Sequence, residues 1–114
     1  MTIVVHCRKD RFDKYIGRTN RRMQLRASPF ANPFYIGKDG TREEVVIKYV
    51  YWLCDHPEFI ELAQFELKDK IIGCWCAPLL CHGHVLAIVA HWPSLDITPS
   101  MIIAELAKQG RISM

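Results

Sequence analysis

No apolar run in this sequence approaches the roughly 20 residues that a helix needs to cross a bilayer, which excludes a membrane-spanning helix. The opening "MTIVVHCRKD" lacks both a basic stretch ahead of its apolar residues and a small-residue cleavage site, so no secretory leader is expected. Internal repeats and low-complexity tracts are absent, and with them the repeat architectures. A chain of 114 residues also lacks the length for two cores, so residues 1–114 are read as one domain. Even the cysteines fall short of a pattern. There are five, an odd number, and two stand one residue apart, which argues against a secreted disulfide framework. Reduced thiols in a cytoplasm are the expectation.

Acid is scarce where base is dense. Residues 1–26 hold eight Lys and Arg against Asp10 and Asp13, a local charge of +6, whereas the other 88 residues carry −3. A field gathered at one end favours anionic partners, phosphates or nucleic acid among them; a solvated basic loop is the alternative. Overall composition is that of a soluble globular protein, with 50% hydrophobic and 24% charged residues.

Two β-branched or apolar runs read as strands, "TIVVHC" (2–7) and "KIIGCWC" (70–76), and "KYIGR" reads as a shorter one. Between Thr19 and Gly40 periodicity vanishes, yet Phe30, Phe34, Tyr35 and Ile36 argue for a loop packed on the body. "TREEVVIKYVYWLCDHP" is expected to be a helix, with Thr41 and Glu44 as a reciprocal cap and Val46, Tyr49, Val50 and Leu53 inward. Tyr51 and Trp52 are assigned to the core with Tyr49. "PEFIELAQFELKDK" opens a second helix at Pro57, with Phe59, Leu62, Ala63 and Glu66 on one side. A third helix covers "LLCHGHVLAIVAHW", with Val85, Ile88, Val89 and Trp92 inward and His84 on its surface. "TPSMIIAELAKQG" is a fourth, capped by Thr98 and stopped at Gly110. The fold class is therefore α/β: a small single-domain sandwich with a short, mostly parallel sheet and about four helices. Ligands of such sheets bind beyond the carboxyl ends of the strands. That places the basic segment after Cys7 opposite "APLLCHGH" on one edge.

"GCWCAPLLCHGH" (73–84) concentrates three cysteines and two histidines. Alternation along a strand puts Cys74 and Cys76 on one face and Trp75 on the other. With Cys81 and His82 they offer four soft ligands for zinc, although the spacing lacks the two separated knuckles usual in structural sites. A second reading treats Cys81 and His82 as a pair at a helix N-terminus, where N–H groups cradle an anion and a thiol is activated for nucleophilic catalysis. A plain helix cap is the third. His6, His56 and His91 are read as structural.

With "YIGR" (15–18), "NPF" (32–34), "GTREE" (40–44) and "GCWCAPLLCHGHVL" (73–86) in view, the chain resembles the domain-of-unknown-function 4326 family, small proteins of bacteria and their phages. The "CHG" segment is also similar to the "CHR" element of the domain-of-unknown-function 488 family. The resemblance implies a shared pocket built by Arg18, Asn32, Pro33, Phe34, Arg42, Cys76, Cys81 and His82, but no established activity. His84 stands where that family is expected to carry an acid. The residue types agree with a pocket: Arg18 supplies a fork for phosphate or carboxylate, Asn32 before Pro33 fixes a turn and its amide reads a base or ribose edge, and Phe34 offers a stacking face. Arg42 gains nothing from a helix dipole at its position, so a partner such as Glu44 or a ligand is expected for it.

The leading expectation is a cytoplasmic protein, in the host cytoplasm if phage-encoded, that binds a nucleotide-like or other phosphate-bearing small molecule and processes or sequesters it. The alternatives are a zinc-stabilised nucleic-acid-binding module, a hydrolase or transferase using Cys81 and His82, and an adaptor whose aromatic loop meets a partner protein.

Overall fold

Seven short elements follow one another in the computed structural model, which describes residues 1–113. They are β1 (Ile3–His6), β2 (Lys14–Tyr15), α1 (Arg42–Cys54), α2 (Pro57–Glu66), β3 (Ile71–Cys74), α3 (His82–Ala90) and α4 (Pro99–Lys108). The sheet runs β1-β3-β2, and both neighbours pair with the central β3 in parallel, Val4 beside Ile72 and Tyr15 beside Gly73. The result is a small α/β fold with four helices and a three-stranded parallel sheet.

Each strand is shorter than its apolar run. Beyond β1 the Cys7 N–H still reaches Cys74 O (2.8 Å), but the N–H groups of Lys9 and Asp10 then fold back onto His6 O. Beyond β3 the chain turns at once, with the Leu79 N–H on Cys76 O (2.8 Å). Cys76 therefore leaves the sheet, and the shared strand face expected for Cys74 and Cys76 ends at Cys74.

Side-chain alternation sends Ile72 and Cys74 toward the helices, while Gly73 lies under Phe12. A Cβ at Gly73 would stand 2.8 Å from the Phe12 ring, so the sheet's outer face closes only over a glycine there. Thr41 and Glu44 form the expected reciprocal cap on α1. Val45, Val46, Tyr49, Val50 and Leu53 are buried on its inner side. Two assignments are corrected. Tyr51 points outward, 53% exposed, and Trp52 is half-buried, stacked on Phe59 with ring centroids 5.4 Å apart. On α2 the buried residues are Ile60 and Ala63, so the inner stripe is turned by one position and Phe59 and Leu62 flank it half-buried.

Helix α3 touches β1, β3 and all three other helices. Surrounded in this way, it buries every residue from His82 to Ala90 except the half-buried Ala87. His84, expected on the surface, is 6% exposed. Gly83 shows the tightness of the packing: a Cβ there would stand 2.9 Å from both Ile16 Cδ1 and Val4 Cγ1. The long connection from Thr19 to Gly40 is ordered against this body. Phe30 is buried, with its carbonyl accepting the Tyr49 hydroxyl (2.7 Å), and the Ser28 N–H returns to Gly17 O (2.9 Å). Tyr35 and Ile36 remain about half exposed at its tip.

Candidate functional site

The parallel sheet delivers three chain ends to one edge: the residues after β2, those after β3, and the first turn of α3. Between them and the start of α1 lies a pocket of about 290 Å³. Cys74, Cys76, Cys81 and His82 lie along its inner side; Arg18, Thr19, Asn20, Asn32 and Phe34 come from the loop, and Arg42, Val45, Val46 and Leu80 stand across from them. Of the residues expected from the sequence, all line this pocket except Pro33, which is exposed and lies outside its lining.

Arg18 is held from three sides. Its Nη2 donates to Asn32 O (2.6 Å) and Phe34 O (2.7 Å), and its guanidinium carbon lies 3.8 Å from the Tyr35 ring centroid. The fork is thus oriented before any ligand arrives, with its other N–H groups uncommitted to these contacts. Arg42 is placed differently. Its Nη1 donates to Leu80 O (3.2 Å), so it bridges the start of α1 to the turn before α3, while Glu44 serves the Thr41 cap instead. Among the described residues no Lys or Arg is ion-paired with a carboxylate, and no Asp or Glu lines the pocket. Positive charge there is uncompensated.

Asn32 has a structural role beyond the turn that its place before Pro33 implied. Its Nδ2 donates to Val45 O (3.3 Å) and its Oδ1 accepts the Phe34 N–H (2.9 Å), so the amide fastens the loop to α1 rather than facing a base or ribose edge. Phe34 remains half-buried on the lining and offers its ring. Trp75 and Tyr15 join the rim, linked by a bond from the indole Nε1 to the Tyr15 hydroxyl (2.7 Å). Thr19 and Asn20 went unnoticed in the sequence, as did the Tyr35 support under Arg18. Tyr15 was signalled only as the first residue of the "YIGR" motif.

The expected thiol–imidazole pair does not form. His82 is 9% exposed, and its Nε2 lies 2.7 Å from Ile16 O; a carbonyl only accepts, so this nitrogen carries the proton. Its ring packs edge-on to Tyr49, centroids 5.1 Å apart. Burial holds its pKa down to about 4, with Arg18 adding to the effect, so His82 is neutral at pH 7. Cys81 Sγ instead lies 3.1 Å from Cys74 Sγ and accepts the Gly83 N–H (3.3 Å). The helix terminus was expected to activate Cys81, but the order is reversed. The thiol–thiol contact lowers the Cys74 pKa, with help from the backbone N–H groups of Cys76 and Ala77 and the Arg42 charge. The Cys81 thiol is pushed up by that same contact and by burial. His84 completes the cap, its Nδ1 accepting the Cys81 N–H (3.1 Å). An acid at this position of a reciprocal cap makes the same bond through an oxygen, which explains how His84 replaces one.

Among the described residues no group of three or more His, Cys, Asp or Glu side chains is disposed to hold a metal ion. Cys74, Cys76, Cys81 and His82 border one pocket, but the His82 Nε2 is taken by Ile16 O. The zinc set read from the sequence is therefore not assembled.

The family model described as Domain of unknown function (DUF4326) matches residues 5–92, and the chain belongs to that family. It is also 37% identical over 84 residues to a protein of Acanthamoeba polyphaga mimivirus described as uncharacterized protein R718; the match covers 65% of this chain and 63% of that relative's length. No solved structure matches the chain.

Proposed function

We propose that this member of the domain-of-unknown-function 4326 family binds a small phosphate-bearing molecule of the nucleotide type in the pocket at the carboxyl edge of its sheet. One observation carries the reading: two arginines, Arg18 and Arg42, line a pocket that no carboxylate enters. Its volume, about 290 Å³, is close to the lower end of small-molecule sites. Arg18 is oriented for a phosphate or carboxylate, and Phe34 with Trp75 supplies aromatic surface for a base. The neutral His82 and the thiols complete a wall without fixed negative carboxylates. Reduced cysteines suit a cytoplasmic setting, and the viral relative suits a protein that sequesters or processes a host nucleotide.

Thermal-shift measurements with inorganic phosphate, nucleoside mono- and diphosphates and the matching nucleosides test this. Phosphorylated compounds are expected to raise Tm, by an amount equivalent to about 2.7 kcal/mol at a hundredfold excess over Kd, and the nucleosides far less. No stabilisation by any phosphate compound rejects the reading. A second reading, a nucleic-acid surface, is favoured by the exposed Arg8, Arg11, Arg21, Arg22 and Arg26, none of them paired with a carboxylate among the described residues. It requires affinity for single-stranded or duplex nucleic acid that falls steeply with salt.

A further inference from the structure

We propose that Cys74 and Cys81 form a peroxide-reactive dithiol on the inner side of this pocket, with Cys74 the attacking sulfur and Cys81 the resolving one. The two Sγ atoms lie 3.1 Å apart, yet all five cysteines are free. Both residues are almost completely buried, 1% and 2% exposed, and both line the pocket, so access to the sulfurs runs through it. Their surroundings differ in the way such a pair requires. Cys74 stands where β3 ends and lines the pocket with Arg42, whereas Cys81 caps α3; the contact between the two sulfurs lowers the Cys74 pKa and raises that of Cys81. Electron density is thereby concentrated on Cys74 while a proton source sits in contact with it. Cys7 and Cys54 lie outside the pocket lining, and burial raises the pKa of each.

The chemistry balances with hydrogen peroxide as the oxidant. The Cys74 thiolate attacks one peroxide oxygen and the O–O bond breaks; the departing hydroxide takes the Cys81 proton and leaves as water. The Cys81 thiolate then attacks the sulfur of the Cys74 sulfenic acid, the S–O bond breaks, and the second hydroxide takes a proton from solvent. Two thiols are oxidised to a disulfide and one peroxide is reduced to two waters. Hydrogen peroxide, with two heavy atoms, fits the pocket easily. The inference holds whatever ligand the pocket takes.

Peptide mass analysis of the full chain, reduced and then treated with stoichiometric hydrogen peroxide, decides it. The wild-type protein is expected to lose two hydrogens, joining the Cys74 and Cys81 peptides and leaving Cys7, Cys54 and Cys76 open to alkylation. A dithiol reductant restores it. In Cys81→Ser, Cys74 is expected to stop at the sulfenic acid and to be labelled by dimedone, with no disulfide. In Cys74→Ser, peroxide consumption is expected to fall roughly tenfold or more. Oxidation of another cysteine first, a disulfide that involves neither residue, or dimedone labelling of Cys81 at an undiminished rate in Cys74→Ser overturns the proposal. The wild-type product alone decides the pairing if either variant fails to fold.

Discussion

Two hollows flank the first turns of α3, and they manage charge in opposite ways. The pocket described above has arginines and no acid. The other, a wider and open hollow of about 1000 Å³, runs along β1, the outer side of α3 and the end of α4. There Asp69 takes the Met1 ammonium and lies 3.7 Å from His91 Nε2. Glu105 accepts a bond from Gln109, whose own oxygen accepts Arg111 Nε (2.8 Å). Acid and base are interleaved on that side, so little field extends into solvent. In the pocket, by contrast, Arg18 and Arg42 are fixed by backbone carbonyls, which orient a cation without neutralising it. The difference lies in the surroundings: carbonyls alone leave the charge available to a ligand, whereas Asp69 and Glu105 offset the cations that share the open hollow with them.

The largest effect expected from this contrast concerns the two histidines that stand one in each hollow. His82 lines the pocket and His84 the open hollow, and burial depresses the pKa of both to about 4. Arg18 opposes protonation of His82, and Arg111 opposes that of His84. An unfolded chain binds these protons near pH 6.5, the folded one only near pH 4, so the stability they contribute is complete above pH 6.5 and is lost as the pH falls toward 4. The loss is on the order of 3 kcal/mol for His82 and smaller for His84, which solvent in the open hollow screens in part. Calorimetry at a series of pH values is expected to show Tm falling steeply below about pH 6.5. A His82→Gln, His84→Gln double variant that loses stability over the same range as the wild type would assign the acid sensitivity elsewhere.

Next in size is the loss of ligand affinity on removing either guanidinium. A charge-assisted hydrogen bond contributes about 1.5–3 kcal/mol, so Arg42→Ala and Arg18→Ala should weaken the binding of a phosphate ligand roughly ten- to hundredfold by titration calorimetry. Arg18→Lys should recover little, since an ammonium reproduces neither the double carbonyl contact nor the stacking on Tyr35. Arg111→Ala removes the same charge from the compensated hollow and should leave Kd within a factor of about two. Equal losses at Arg42 and Arg111 would mean that long-range charge, not the pocket, governs affinity.

Legibility followed the range of the forces involved. The strands, the four helices and the caps at Thr41 and Thr98 were readable because period and capping are local. The parallel pairing of β1 with β3 followed from chain order, but it is β2, paired on the other side of β3, that brings Arg18 to the pocket lined by Cys81; Arg8, Lys9, Arg11 and Lys14 of the same basic segment lie outside its lining. What escaped were partners distant in sequence. Asn32 reaches Val45 and His82 reaches Ile16, contacts that no spacing rule encodes. His84 looked exposed because a capped first turn usually faces water; here α3 has neighbours all round. The reversal at Cys81 has the same origin. A helix N-terminus considered alone activates a thiol, but a second thiol 3.1 Å away decides which sulfur holds the charge.

The smallest effect expected is at that same first turn, and it isolates what His84 does for the fold. Its Nδ1 accepts the Cys81 N–H, one of the otherwise unpaired donors at the start of α3. At pH 7.5, where the ring is neutral, His84→Ala removes this acceptor and should cost about 1 kcal/mol, as loss of a cap does, with a further contribution from the space left beside β1 and α4. His84→Gln keeps a carbonyl oxygen within reach of the same N–H and should recover most of the cap. It also has no proton to gain in acid, so it should remove the His84 share of the pH-dependent loss. If His84→Ala and His84→Gln were equally stable at pH 7.5, the bond to Cys81 would contribute nothing. The position would then matter only for the volume it fills between the two hollows.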